Sequence, residues 1–207
     1  MYLETLSPAT SALLNKIQHN KLAADFYLAG GTALALQYGH RQSVDLDWFT
    51  KDSINTKALI KKLSAIGDFE LLNEETNTVE GYLDKVKVSF MTYPYPLLNK
   101  KNKLFGEVYI ASALDIAIMK LSAISGRNAK KDFIDLYWYL HTEKTGLISL
   151  FAKMKKKFFG TKYDVIHICK SLVYFKEAET QPMPVMLAKI SWEKVKEYFV
   201  SEIGKII

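Results

Sequence analysis

The feature that most constrains this chain is a short segment, beginning at Val44, in which apolar and acidic residues alternate. Residues two apart on a β-strand point to the same face, so Asp45 and Asp47 would project together. The other residues would face a core: Val44, Leu46 and Trp48. Strands disfavour aspartate, and neighbouring carboxylates repel each other. The segment therefore predicts either two carboxylates that share a divalent cation or an exposed edge strand with two solvated aspartates.

A pair of glycines precedes this segment. Gly30 and Gly31 lie between a short apolar strand, residues 26–29, and a predicted helix over residues 32–38. Glycines at such a turn let backbone N–H groups approach a phosphate, and the helix N-terminus favours its negative charge. Many Gly-Gly turns are only tight turns, so the pair alone is not specific. Together with the Asp pair it favours a site for Mg²⁺ or Mn²⁺ and a triphosphate, since hard cations prefer oxygen ligands.

The secondary-structure pattern changes near residue 110. Before it, helices alternate with strands that are predicted at residues 43–49, 69–72, 78–83 and 85–92. After it, the pattern is helical, with helices over 112–124 and 130–140 and from Gly146 onward, interrupted near Gly160 and again at Pro182 and Pro184. The sequence therefore predicts an α+β fold. Its first domain, residues 1–110, has a mixed sheet flanked by helices, and its second, residues 111–207, is a helical bundle.

Charge is distributed unevenly over the chain of 207 residues, whose net charge is +6. Residues 1–111 carry 12 basic and 12 acidic side chains, whereas residues 112–207 carry 16 and 10. A basic half is consistent with a polyanionic partner such as RNA, although solvated lysines produce the same balance. A run of lysines in that half leaves the same choice open: Lys153, Lys155, Lys156 and Lys157.

Several classes of protein are excluded by what the chain lacks. Its single cysteine, Cys169, rules out an internal disulfide framework and a cysteine-cluster zinc site. No apolar run approaches the roughly 20 residues that cross a bilayer. The N-terminal residues 1–21 contain no apolar signal-peptide segment. We therefore expect a cytoplasmic protein with no membrane partner.

The helical half contains a second group of candidate residues. Lys120 lies in an otherwise apolar helix, where a cation commonly reaches a phosphate or pairs with a carboxylate. Arg127 follows at the end of that helix, and Asp132 and Asp135 share one face of the next. The alternative interpretation is a surface with exposed ion pairs, which contribute little to stability.

Taken in their order along the chain, these motifs resemble those of the AbiEii/AbiGii (MenT-like) toxin nucleotidyltransferases. The motifs are the glycine pair with Thr32, the Asp pair, Lys120 and the run from Arg127 to Tyr137. These belong to the DNA polymerase β-like nucleotidyltransferase superfamily. The resemblance covers roughly residues 25–140, and each motif is weak alone. It implies a polymerase β-like nucleotidyltransferase fold in the first domain. It also implies transfer of a nucleoside monophosphate from an NTP to an acceptor such as the 3′ end of a tRNA, in a toxin–antitoxin or abortive-infection system with a cognate antitoxin.

The resemblance also implies roles for individual residues. Those that would hold the nucleotide are Gly30, Gly31, Thr32, Arg41, Lys120 and Arg127. Asp45 and Asp47 would bind Mg²⁺ or Mn²⁺ and serve catalysis. Lys120 would contact phosphate, and Asp132 and Asp135 would complete the site from the helical domain.

One position departs from the superfamily pattern. An acidic residue on a later strand normally joins the Asp pair, and the matching position here is Ser89. Three interpretations therefore stay open: an active enzyme, an NTP-binding module of the same fold with impaired catalysis, and a small-molecule nucleotidyltransferase. The basic second half argues against the last, because cationic small substrates prefer acidic clefts.

Overall fold

The structure, a computed structural model, describes residues 1–206. The chain divides into two compact units, Met1–Ser112 and Ala113–Ile207. The division lies two residues after the boundary expected from the sequence pattern. The predicted α+β class, a mixed sheet followed by helices, is confirmed. Within the described residues, no helix combines the length and the apolar character needed to cross a bilayer.

The first unit is built around a seven-stranded sheet with the order β3-β4-β5-β2-β1-β7-β6. The strands are Tyr27–Ala29 (β1), Leu46–Thr50 (β2), Phe69–Glu75 (β3), Thr78–Leu83 (β4), Val86–Thr92 (β5), Asn102–Phe105 (β6) and Val108–Ile110 (β7). The helices are Pro8–His19 (α1), Gly30–Tyr38 (α2) and Thr56–Ile66 (α3), after a 3₁₀ turn at Leu3–Thr5. β2 pairs in parallel with β5, and β1 with β7; the other neighbours are antiparallel.

Local sequence explains where the helices of this unit begin and end. Ser7 caps α1 by accepting a hydrogen bond from the Thr10 N–H at 3.0 Å, and Pro8 occupies the first turn, where no N–H partner is needed. Gly39 ends α2 in the left-handed conformation, with φ +67°, which is typical of a glycine at the end of a helix. Asn55 caps α3 in the same manner as Ser7 caps α1.

The core of the first unit forms around the middle strand of the sheet. Trp48 on β2 stacks on Phe90 of β5, with ring centroids 6.2 Å apart and planes 13° from parallel. Phe26 meets the edge of the Phe90 ring at 5.1 Å. Both Trp48 and Phe90 are fully buried, so β2 is anchored by apolar packing on one face. Its other face carries Asp47.

The second unit is helical. Its helices are Ala113–Arg127 (α4), Lys130–Thr142 (α5), Leu147–Lys157 (α6), Val165–Leu172 (α7), Lys176–Glu179 (α8) and Trp192–Ile203 (α9). Phe133 of α5 is at the centre of its core and contacts three other aromatic rings at centroid distances of 5.3–5.7 Å. These rings belong to Phe175, Trp192 and Phe199.

Local structure differs from expectation at one residue and in two strands. Val44 is 54% exposed and does not face the core, because β2 begins only at Leu46. β6 and β7, strands of four and three residues, were not predicted. The helices of the second unit are interrupted near Gly160 and at Pro182 and Pro184, as the sequence predicts, because proline cannot continue the backbone hydrogen bonding of a helix.

Lys157 also differs from the solvated face considered for the lysine run. It is fully buried, and its Nζ donates to Asp115 Oδ1 at 2.7 Å, with Asp115 equally buried. Lys153, Lys155 and Lys156 are exposed. The second unit therefore contains a buried ion pair that joins α6 to α4.

Replacing Lys157 with methionine should leave the Asp115 carboxylate buried without this partner. We expect the free energy of unfolding to fall by about 3–5 kcal/mol, because removing one partner of a buried pair costs far more than the pair contributes. Urea denaturation would measure it. Lys156→Met, on the exposed side of the same helix, is the matched control. Equal effects of the two substitutions would contradict the assignment of a buried pair.

Candidate active site

The predicted site residues fall into two groups, one in each unit. In the first unit, the Asp47 carboxylate lies directly against Gly30 at the start of α2. A Cβ added to Gly30 would collide with Asp47 Oδ2 and lie 3.1 Å from its Cγ. Gly30 also has φ +67°, a conformation that side chains rarely adopt. Gly30 is therefore required twice, for its backbone conformation and for the close approach of a carboxylate.

Gly31 accommodates a second charged side chain. A Cβ at Gly31 would collide with Arg41 Nη2 and lie 3.3 Å from Ser43 Oγ. Arg41 is only 3% exposed, and its Nη1 donates to the carbonyl of Gln42 at 2.9 Å. The arginine is thus not an exposed loop residue. A guanidinium and a carboxylate pack against consecutive glycines at a helix N-terminus, where the backbone favours negative charge.

Thr32, which the resemblance assigns to the nucleotide, lies in the first turn of α2. Its side chain is fully buried, and its hydroxyl donates to the carbonyl of Asp45 and lies 2.9 Å from Ser43 Oγ. These contacts fix the segment that leads into β2. Thr32 and Ser43 therefore hold Asp45 in place from the first turn of α2. Ser43 was not identified from the sequence, because nothing in its surroundings distinguishes it from a loop serine.

The burial of the Asp pair alternates as the sequence predicts, although only Asp47 lies within β2 and Asp45 directly precedes it. Asp45 and Asp47 are half-buried, while Leu46 between them is fully buried. In the parallel pairing of β2 with β5, Asp47 is the direct partner of Ser89. Ser89 is 4% exposed, so the short side chain next to Asp47 is covered by its surroundings.

The donor atoms at this place suit a hard divalent cation. Asp45 and Asp47 present carboxylate oxygens, and Mg²⁺ is commonly bound by one or two carboxylates together with substrate phosphates. Within residues 1–206, no group of three or more acidic, histidine or cysteine side chains is close enough together to hold a metal ion. Asp45 and Asp47 are therefore the two carboxylates here that could bind such a cation.

In the second unit, the remaining candidates form a network of buried ion pairs. Lys120, 4% exposed, has its Nζ 2.7 Å from Asp132 Oδ1 and 2.5 Å from Asp135 Oδ2. Arg127 reaches the same Asp132 through Nε and Nη2, at 2.7 and 3.0 Å. These two cations and two carboxylates balance in charge. Asp132 and Asp135 therefore hold Lys120 in position.

Asp132 is the ionised centre of this network. Burial acts to raise the pKa of its carboxyl, but the charges and hydrogen bonds of Lys120 and Arg127 outweigh burial and lower the pKa below its ordinary value. The guanidinium–carboxylate contact is bidentate, a geometry that fixes both partners. Arg127 itself is 59% exposed, so its outer surface is accessible to solvent.

Comparison with known proteins shows the family to which the chain belongs. Residues 12–203 match the family model described as nucleotidyl transferase AbiEii toxin, type IV TA system. An uncharacterized protein of Aquifex aeolicus (strain VF5), aq_aa25, is 39% identical over 201 residues, covering 94% of each chain.

Solved structures share the fold. JHP933 from Helicobacter pylori has a TM-score of 0.59 and 21% identity, covering 97% of this chain and 93% of its own. The nucleotidyltransferase toxin MenT4 (Rv2826c) from Mycobacterium tuberculosis H37Rv has a TM-score of 0.55 and 14% identity, covering 95% and 85%. At these identities the likeness supports the fold alone.

Gly30→Ala should destabilise the protein more than the same change at Gly160. Both glycines have positive φ, so each alanine costs about 1–2 kcal/mol in backbone strain. Only at Gly30 must a carboxylate also move, because nothing lies within 4 Å of a Cβ at Gly160. Urea denaturation of both variants would measure the difference. Equal losses would contradict the close packing of Asp47 on Gly30.

Acid should weaken the network around Asp132. Because the folded state lowers the pKa of this carboxyl, its contribution to stability is complete above the ordinary Asp value, about 3.9, and is lost as the pH falls through the lower folded pKa. Asp132→Asn should therefore be less stable than wild type at pH 7 and lose less stability between pH 7 and pH 3. Urea midpoints at both pH values test this. Asp68→Asn, at an exposed aspartate, should follow the wild type.

Proposed function

Because the chain belongs to the AbiEii nucleotidyltransferase toxin family of type IV toxin–antitoxin systems, we propose that it transfers a nucleoside monophosphate from an NTP to RNA. Membership of the family implies nucleotidyl transfer, an NTP substrate and an antitoxin partner. The proposal adds that the acceptor is the 3′ end of a tRNA, that the cofactor is Mg²⁺ or Mn²⁺, and that a cognate antitoxin protein opposes the activity.

The observation that carries this proposal is the contact of Asp47 with Gly30 at the N-terminus of α2. It brings a carboxylate that can bind a cation to the same place as backbone N–H groups that can bind phosphate. Asp45 lies two residues earlier, directly before the first residue of β2. A cation between these carboxylates and a triphosphate at the helix end would be in mutual contact. A tight turn with two solvated aspartates would not require this packing.

Asp45 and Asp47 would hold the divalent cation, in keeping with their oxygen donors. When bound there, Mg²⁺ would neutralise charge on the transferring phosphoryl group and on the leaving pyrophosphate. Thr32 and Ser43 would keep Asp45 in register, since they fix its backbone. Arg41 would add a positive charge that attracts the triphosphate. Its side chain is buried against Gly31, so the guanidinium would keep its position.

Lys120 and Arg127 would contact phosphate from the helical unit. Lys120 is held between two carboxylates, which restricts its motion. In this proposal Asp132 and Asp135 contribute by positioning Lys120, which preorganises the charge before the NTP binds. Arg127 is anchored on Asp132 through two hydrogen bonds and still has an accessible outer surface.

An RNA acceptor fits the charge of the helical unit. The whole net charge of +6 comes from residues 112–207. Lys153, Lys155 and Lys156 are exposed on α6 and are available to a phosphate backbone. Lys157, by contrast, is committed to Asp115. The tRNA acceptor rests on this charge and on the family resemblance.

A second candidate function is an NTP-binding module that has lost catalysis. The observation that favours it is the position of Ser89, which is paired directly with Asp47. A serine there gives the site less negative charge than a third carboxylate would. Such a module would bind NTP with Mg²⁺ and transfer nothing.

A transfer assay distinguishes these functions. Purified protein would be incubated with Mg²⁺, total tRNA and each of the four labelled NTPs in turn. We expect label on tRNA with the wild type and none with Asp47→Asn, which keeps the shape of the side chain but removes the negative charge that would bind the cation. Omission of Mg²⁺ should have the same effect.

Asp68→Asn is the matched control, because Asp68 is an exposed aspartate of the same unit. It should transfer label as the wild type does. NTP binding without transfer to any RNA or small-molecule acceptor would instead identify the module. Transfer that survives Asp47→Asn would overturn the assignment of the site.

A further inference from the structure

A polar row crosses the sheet beside the Asp pair. In the antiparallel pairing of β4 with β5, Glu80 is the direct partner of Ser89, and in the parallel pairing of β5 with β2, Ser89 is the direct partner of Asp47. Directly paired residues project from the same face of a sheet. Glu80, Ser89 and Asp47 therefore lie side by side on one face of three neighbouring strands.

The side chains of this row differ in length and environment. Ser89 in the middle is buried and short, whereas Glu80 is half-buried. The Glu80 carboxylate makes no hydrogen bond or ion pair with any residue in the part of the chain that the structure describes. On the other side Glu80 is paired with Asn73 of β3, which carries no charge to compensate it. A half-buried carboxylate beside the site is therefore left without a structural role.

Nucleotidyl transfer requires a group that accepts a proton. The acceptor hydroxyl must lose its proton as its oxygen attacks the α-phosphorus, and carboxylates that are bound to a cation are poor proton acceptors. Asp45 and Asp47 are assigned to the cation, and Asp132 and Asp135 are paired with Lys120. None of these four carboxylates is available as a base.

We propose that Glu80 accepts the proton of the acceptor hydroxyl, reaching over the short side chain of Ser89. This inference rests on the proposed function. The acceptor O–H bond breaks and its proton passes to the Glu80 carboxylate. The oxygen forms a bond to the α-phosphorus, and the bond from that phosphorus to the bridging α–β oxygen breaks, which releases pyrophosphate. Ser89 takes no part except by being small.

The reach required agrees with the geometry of the sheet. Paired residues are about 5 Å apart across neighbouring strands, so Glu80 begins about one strand beyond Ser89. A glutamate has one methylene more than an aspartate and can lean over its neighbour by changing rotamer. In the structure Glu80 does not converge with Asp45 and Asp47 into one group. The separation suits a base that meets the acceptor hydroxyl, and not a third ligand to the same cation.

Glu80→Gln tests the proposal, because it keeps the shape of the side chain and removes only its ability to take a proton. We expect kcat for label transfer to fall by about 10²–10⁴-fold, as general-base loss commonly produces. The KM and the directly measured affinity for the NTP with Mn²⁺ should be unchanged. Asp47→Asn should weaken that affinity, which separates the two roles.

Two further variants exclude a structural explanation. Glu70→Gln on β3, at an exposed glutamate outside the row, should keep wild-type kcat. Ser89→Asp in the Glu80→Gln background should restore part of the lost rate, because it returns a carboxylate to the strand between Glu80 and Asp47. If Ser89→Asp fails to fold, the comparison of kcat with NTP affinity in Glu80→Gln decides alone.

The outcomes separate this inference from the function on which it rests. Wild-type activity that is lost with Asp47→Asn but retained with Glu80→Gln would overturn only the role of Glu80. If Glu80→Gln loses affinity for the NTP and Mn²⁺ as Asp47→Asn does, the role of Glu80 as a base is also overturned, since Glu80 would then act on the cation. A wild type that transfers nothing to any acceptor would overturn both proposals.

Discussion

The close packing of Asp47 on Gly30 is the constraint around which the first unit is arranged. It requires a residue without a side chain at the start of α2 and a strand that brings its carboxylate to that point. β2 meets the second requirement because Trp48 stacks on Phe90 and fixes the strand on its apolar face. The next glycine receives the Arg41 guanidinium in the same way. Both charges of the site are thus set by packing against backbone, which leaves them little freedom to move.

The helical unit also holds charged side chains in fixed positions, but through ion pairs. It buries charged side chains in balanced groups, because an isolated buried charge is costly and a paired one is tolerated. Asp132 is shared by a lysine and an arginine, and Lys157 and Asp115 form a separate pair. The first group has an accessible arginine at its edge, whereas both members of the second are fully buried. The first is therefore the group with a solvent-accessible cation, and the second is enclosed within the bundle.

The contact of Asp47 with Gly30 joins two residues that carry local sequence signals. Alternation predicted the Asp pair, and the glycine pair indicated the turn before a helix. Other features gave no local signal. β6 and β7, strands of four and three residues, were not predicted. Lys157 belongs to a lysine run that resembles a solvated face, and only its packing against α4 distinguishes it from its exposed neighbours. The start of β2 was predicted too early, and Val44, which was expected to face the core, is exposed.

The row of Glu80, Ser89 and Asp47 separates what the sequence determines from what the tertiary structure decides. The pairing of Glu80 with Ser89 follows from a two-residue hairpin turn at Asp84 and Lys85, both with positive φ, so it is a local property of the chain. The pairing of Ser89 with Asp47 is parallel and joins strands about forty residues apart. No turn sets that register, since parallel strands are connected by long crossovers. It is determined by the shared core under Trp48 and Phe90, which forms only when the whole unit folds.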